Sequence, residues 1–239
     1  MENVKRGSRG TAALMAQMLL NDRIRELGDR NGRPVQPLVE DGIFGEKSEK
    51  ALLDYFARGL RISHQAMIDA DTWRRMGLKV EIDHKVRLIG QRHGGLCWQA
   101  AAEMVLGGQV IAGPGYAERD KRGALKAGLE NLKLFGESYH WRFALPTLSA
   151  ALFADLVRRR PIWIAGQGAA GHGQVFGHAI VVSGMWGDGD PNGTTALLRI
   201  HDPWPGPVGR VYSAAFFSSA GTRLPGGVWF RPQAMLIPN

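Results

Sequence analysis

Cys97 is the only cysteine among 239 residues. It stands in Gln91-Arg-His-Gly-Gly-Leu-Cys97-Trp98-Gln-Ala-Ala-Ala, a glycine-containing loop that runs into a helical pattern. A thiol at a helix N-terminus faces unpaired N–H groups and the positive end of the helix dipole, and both favour the thiolate. A lone cysteine fits a small buried apolar residue equally well, so the nucleophile reading depends on partners. A cysteine hydrolase needs a base within hydrogen-bond reach of the thiol, a group that fixes the imidazole, and donors for the oxyanion.

Seven histidines compete to be the base. His64, His84 and His140 lie in segments with no other site features, and His93 and His172 lie in glycine-rich loops. His201, next to Asp202, would point to the opposite face of a strand from it. His178 differs, because Gly177 precedes it and Ala-Ile-Val-Val-Ser-Gly follows, which puts an imidazole at the first residue of a buried strand. A satisfied core histidine is the competing reading. Asp202 ends the next strand, in Leu198-Arg-Ile-His-Asp202-Pro-Trp-Pro-Gly206. If the two strands form a hairpin through Asp188-Gly-Asp-Pro-Asn-Gly193, His178 and Asp202 become neighbours and the carboxylate can orient the ring. Capping the Pro-Trp-Pro turn is the competing role. The Gln91 side-chain amide, with the Cys97 backbone N–H, can supply an oxyanion hole.

These side chains need elements to hold them. Lys79 to Arg87 alternates apolar and charged residues and reads as a strand. Cys97 to Leu106 reads as a helix with Ala100, Ala101, Met104 and Val105 available to bury, stopped by Gly107-Gly108. A polar, helix-prone stretch occupies 113–136. Thr147 is expected to cap a helix through Leu148, Leu152, Phe153 and Leu156 that ends at Pro161. Strands are expected at Ile162–Ala165, His178–Ser183, Thr195–Ile200, Gly209–Tyr212 and Val228–Phe230. Helices first and an antiparallel sheet second is an α+β arrangement over 85–239.

Residues 10–78 read as a separate small helical unit after a flexible N-terminus of residues 1–9. Leu14, Met18 and Leu19 recur at helical spacing, and a polar loop (Asn31-Gly-Arg-Pro) leads to Val39-Glu-Asp41-Gly42-Ile43-Phe44-Gly45. A second helix, capped by Ser48 or the preceding loop, places Ala51, Leu52, Tyr55 and Phe56 on one face. Ile68 to Met76 reads as a third helix with Asp71 near its start. The helix, Asp-Gly-Ile-Phe-Gly, helix, Asp-x-x-Thr-Trp-x-x-Met order resembles the three-helix peptidoglycan-binding domain of bacterial cell-wall enzymes. The loop from Asp29 to Val39 departs from its compact form. The resemblance implies peptidoglycan as a ligand, against a helical module that binds nothing or binds a protein.

Gln-x5-Cys-Trp on a helix, Gly-His-Ala-Ile-Val-Val-x-Gly on a strand and a later Asp-Pro-Trp-Pro together resemble the bacterial papain-like cysteine peptidases, near the bacteriocin-leader peptidases and plant-pathogen effector proteases. The resemblance implies a papain-like fold over about 85–235, with Cys97 as nucleophile, His178 as base then acid, Asp202 as orienting group and Gln91 as oxyanion donor. It implies a protein or peptide substrate and no cofactor.

Composition narrows the alternatives. A single cysteine excludes an internal disulfide, and no stretch approaches a membrane span of about 20 apolar residues. Residues 1–84 hold 14 Lys and Arg against 13 Asp and Glu, and residues 85–239 hold 16 against 9. The basic half fits an acidic substrate or an anionic surface, or simply a soluble basic surface. No aromatic interleaving argues for nucleic acid. Asp188-Gly-Asp190-Pro-Asn192-Gly193 imitates the start of a calcium loop, but Arg199 stands where the bidentate Glu belongs. No Cys/His cluster has zinc spacing, so no metal is expected. Thr11 to Leu20 is a poor signal peptide. Beside a wall-type module this suggests a bacterial protein, cytoplasmic until exported by a specialised secretion system, an antibacterial effector with a cognate immunity protein. A peptidoglycan amidase or endopeptidase, a decayed non-catalytic binding protein, and a deamidase or acyl transferase are the alternatives.

Overall fold

The computed structural model describes residues 1–27, 36–54, 66–146, 149–169, 175–217, 221–224 and 228–239, the side chains of Glu26 and Leu27 excepted. The chain divides into two compact units: Met1–Glu81 with Trp186–Leu197, and Ile82–Met185 with Leu198–Asn239. Among the described residues no helix is long and apolar enough to cross a membrane.

In the first unit, α1 (Thr11–Leu27) buries the stripe Met15, Leu19 and Leu20 against Phe44, Ile68, Trp73 and Met76. Residues 4–5, within the stretch expected to be flexible, instead form β1 (Val4–Lys5). This strand pairs antiparallel with β2 (Met67–Ile68), and Val4 is fully buried. Helix α2 (Glu46–Leu52) starts at Gly45, with no side-chain cap. Ser48 is therefore not the cap; it is buried inside α2, and its hydroxyl oxygen accepts from Gln17 Nε2 at 3.4 Å. Helix α3 (Ala70–Arg75) is capped by Asp69, whose carboxylate accepts from the Thr72 N–H at 2.8 Å. Tyr55, Phe56 and the Asn31–Pro34 loop lie outside the described residues.

Gln17, which interrupts the apolar run of α1, is the pivot of this unit. Its Nε2 donates to Asp41 Oδ1 at 2.9 Å and to the Ile43 carbonyl at 3.0 Å, and its Oε1 accepts from the Gly42 N–H at 2.9 Å. One turn on, Asn21 bonds both the N–H and the carbonyl of Leu38. The Asp-Gly-Ile-Phe-Gly segment is thus held by α1, and Gly42 supplies the φ of +70° that its turn requires. The Gln17 bond first, then the Ile43 N–H, holds the Asp41 carboxyl below the usual carboxylate range.

The second unit mixes helices with a mainly antiparallel sheet. Its sheet runs β4 (Arg142–Ala144), β10 (Trp229–Ile237), β5 (Ile162–Ala169), β6 (Val175–Gly187), β7 (Leu197–Asp202), β8 (Arg210–Ala215), with β3 (Val80–Asp83) also on β6 and β9 (Thr222–Arg223) on β10. Strand β10 runs well beyond the expected Val228–Phe230. Pro232 cannot donate to the ladder, and a register shift between Pro232 and Ala234 lets the pairing with β5 continue past it.

Helix α4 (Cys97–Val105) has the small side chains that allow close approach to a sheet. Trp98, Ala101 and Ala102 pack with Trp163, Ala165, Ala179, Val181 and Leu236. The Trp163 indole N–H donates to the Trp98 carbonyl at 3.1 Å, which pins the first turn of α4 to β5. Phe135, on α5 (Leu129–Ser138), sits edge-on to Trp98 at 5.5 Å and 5.4 Å from Trp163. Such aromatic pairs are worth about 1 kcal/mol each beyond area burial. Helix α6 (Ala150–Arg159) is capped by Ser149, which accepts from the Leu152 N–H; Thr147 and Leu148 lie outside the described residues. The expected helical stretch 113–136 divides into turns up to Gly128, whose φ of +132° breaks helix geometry, and α5 beyond it.

Candidate active site

Cys97 is the first residue of α4, and the N-cap position is Leu96, which has no side-chain oxygen to occupy the helix end. The first turn carries no acidic residue either. The loop before it is fixed by the Leu96 N–H on the His93 carbonyl at 3.2 Å. Behind it, Gly95 packs on Arg122 and Ala124, and the Trp98 indole N–H donates to the Gly123 carbonyl at 3.0 Å. The segment 118–126 that supplies these contacts has no sequence signature. It is held by Asn131, whose side chain bonds the Glu118 N–H at 2.7 Å and the Lys126 carbonyl at 2.9 Å.

Strand β6 starts at Val175, three residues earlier than expected, and its first three residues are exposed. His178 is therefore not the first residue of the strand but its first buried one. Gly166 stands opposite it on β5, and the rings of Phe176 and Phe230 flank it at 6.2 and 6.4 Å. His178 Nε2 lies 2.8 Å from Asp202 Oδ1. A carboxylate only accepts, so Nε2 carries the hydrogen, and Cys97 is the other side chain that acts on the ring. Burial alone would lower the imidazole; the bond to Asp202, then the bond and charge of Cys97, outweigh it and push His178 up to about 9.

Asp202, the last residue of β7, is 1% exposed. Its Oδ1 also accepts from the Trp204 N–H at 2.8 Å, while Oδ2 accepts from the Tyr212 hydroxyl at 3.1 Å and Arg210 Nη2 at 3.5 Å. Burial would raise this carboxyl, but the His178 bond and these donors hold it below the usual range. Arg210 and Tyr212 were not among the expected site residues. The signal present in the sequence is their alternation on β8, which puts two polar side chains on one strand face immediately after the Asp202 turn.

Gln91 is buried, and its N–H donates to the Pro203 carbonyl at 3.0 Å, so the loop before Cys97 meets the turn after Asp202. Among the described residues its side-chain amide has no hydrogen-bond partner. The meeting is backbone against backbone: a Cβ on Gly206 would stand 2.3 Å from the Gln91 carbonyl oxygen, and one on Gly90 1.8 Å from that of Pro207. The structure thus sets the His178 ring on Asp202, with Cys97 acting on the same ring and the Gln91 main chain attached through the Pro203 turn.

The remaining histidines lie outside this line. His84 Nε2 is 2.6 Å from the Val157 carbonyl, and His140 lies beyond α5 at φ 57°. His201 is 1% exposed, and among the described residues neither ring nitrogen has a hydrogen-bond partner. Burial, then the nearby Arg199 cation, lowers it to about 4. His64 and His172 lie outside the described residues. In the β6–β7 turn the Asp190 carboxylate accepts from the Asn192 N–H at 3.1 Å and the Thr194 hydroxyl at 2.8 Å.

A family model described as papain-like cysteine protease AvrRpt2 matches residues 79–220, more than half of the chain, including Gln91, Cys97, His178 and Asp202. No curated protein matches the chain.

Proposed function

From a chain that belongs to the papain-like cysteine protease AvrRpt2 family, we propose a cysteine peptidase that hydrolyses peptide bonds through Cys97, His178 and Asp202. The observation that carries this is the buried His178 imidazole bonded to the buried Asp202 carboxylate, with Cys97 acting on the same ring. His178 Nδ1 takes the Cys97 proton, and the thiolate attacks the scissile carbonyl carbon. The oxyanion that forms is met by the Cys97 N–H and the Gln91 amide. The imidazolium, held by Asp202, gives its proton to the leaving amine as the C–N bond breaks, leaving a thioester on Cys97. Water then attacks the thioester, His178 takes its proton, and the acid leaves as the thiol is restored.

The Asp41–Gly45 segment supports a second element of this reading, a first unit that delivers the peptidase to peptidoglycan in a bacterial, specially exported antibacterial effector. Wall peptides then become an alternative substrate to proteins, making the enzyme an amidase or endopeptidase. Casein and purified sacculi offered separately to the native chain, Cys97→Ala and His178→Ala decide between them. Cleavage of casein alone, lost in both variants, supports the peptidase; release of sacculus fragments supports the alternative; cleavage retained in Cys97→Ala refutes both. Co-sedimentation of the full-length Cys97→Ala chain with sacculi tests the delivery role, and a chain left wholly in the supernatant refutes it.

A further inference from the structure

We propose that Tyr212 is a positioning residue for the Cys97–His178–Asp202 line, its hydroxyl fixing the rotation of the Asp202 carboxylate so that Oδ1 stays on the imidazole. The proposal rests on the cysteine-peptidase reading. A carboxylate turns about Cβ–Cγ in a broad, two-fold well, and the angle matters here because only Oδ1 meets His178. The Trp204 N–H holds Oδ1 from the adjoining turn, but it bonds the same oxygen as the imidazole and leaves the other to swing. Among the described residues Oδ2 is held from β8 alone, by Tyr212 at 3.1 Å and by Arg210 at 3.5 Å.

Tyr212 is the nearer donor, and Arg210 both reaches Oδ2 itself and packs on the Tyr212 ring. The guanidinium lies 5.4 Å over the Tyr212 ring, a cation–π distance, and among the described residues its buried Nε has no hydrogen-bond partner. Arg210 thus braces the ring whose hydroxyl meets the carboxylate. Asp202 is 1% exposed, so water cannot replace a deleted donor.

Two effects of deleting the hydroxyl have opposite signs. A carboxylate stripped of a donor is a stronger partner for the imidazolium, which would stabilise the thiolate–imidazolium pair. A carboxylate free to rotate is a poorer partner and would destabilise it. Positioning means that the second effect wins.

The probe is iodoacetamide labelling of Cys97 across pH, which needs no substrate. The native chain and His178→Ala are compared first; labelling at pH 6.5 that His178→Ala leaves unchanged refutes the cysteine-peptidase reading itself. With that pair established, Tyr212→Phe, which keeps the ring beneath Arg210, should label about five- to tenfold more slowly at pH 6.5, the scale of one hydrogen bond to a charged group. Its half-labelling pH should rise by about one unit. An unchanged half-labelling pH, or one that falls, overturns the proposal and leaves the peptidase reading intact. Asp202→Asn with and without Tyr212→Phe supplies a comparison that does not depend on the single variant folding. Equal labelling supports action through the carboxylate; a further loss in the double variant overturns it.

Discussion

Acidification should weaken the fold through His201 before it touches any carboxylate. His201 is buried in β7, where neither ring nitrogen has a hydrogen-bond partner among the described residues, and burial and Arg199 lower it from 6.5 to about 4. Its folded value is depressed, so between those limits the unfolded chain binds the extra proton and stability falls as pH falls. The interval spans about 2.5 pH units, worth about 3 kcal/mol in total and about 2.5 kcal/mol by pH 4.5. The groups that would confuse the measurement titrate elsewhere. His178 is raised to about 9, so its contribution is complete below 6.5 and adds no slope. The lowered carboxylates, Asp41 and Asp202 among them, lose their contributions below about 4. Urea unfolding followed by tryptophan fluorescence at pH 4.5, 5.5 and 6.5 reads the effect, with His201→Phe as control. That ring fills similar space with no nitrogen to protonate. The native chain should lose about 2 kcal/mol across this range and His201→Phe far less. Parallel losses in the two chains would refute the assignment.

At the other end of the scale, casein hydrolysis should persist to about pH 9, where the imidazolium that protonates the leaving amine is lost. Asp202→Asn should bring that alkaline limb down by about one unit or more. Stability behaves in the same sense: the His178 contribution is full below 6.5 and fades towards pH 9, so native and His178→Ala melting temperatures should converge as pH rises. Gly206→Ala would drive its Cβ to within 2.3 Å of the Gln91 carbonyl oxygen; it should destabilise the chain by about 2–4 kcal/mol and slow Cys97 labelling, measured by melting and alkylation. In the first unit, Gln17→Ala leaves the Gly42 N–H unpaired in a buried site and should cost about 2–3 kcal/mol in urea unfolding. A melting curve superimposable on the native one would show that water takes over those bonds.

The α+β class was legible because the helical period before Pro161 and the alternating or continuous apolar runs after it report burial directly. The meeting of His178 and Asp202 was legible for a related reason: two polar residues at the same end of one hairpin have few places to go. The alternation of Arg210 and Tyr212 puts them on one face of β8, but that this face meets Asp202 depends on β8 lying beside β7, which the alternation alone does not announce. The opening of β6 was missed because Val175 to Gly177 are exposed and carry no burial signal. Gln17 read as an interruption of an apolar run, although its amide meets two carbonyl-type acceptors and a backbone donor at once. Strand β10 continues past the expected end at Phe230 because a register shift between Pro232 and Ala234 carries the ladder beyond a proline that cannot donate.

The contact between Gly90–Gln91 and Pro203–Gly209 fixes what this site can become as well as what it is. Because the two segments touch through main chain, the separation of Gln91 from Asp202 cannot be adjusted a methyl group at a time, since the smallest side chain already collides. Drift at Gly90 and Gly206 meets a wall. Trp204 and Val208, on the same turn, are 51% and 73% exposed, and their side chains change with no such penalty. New preferences can accumulate on that outer surface while the distance that the chemistry depends on stays constant.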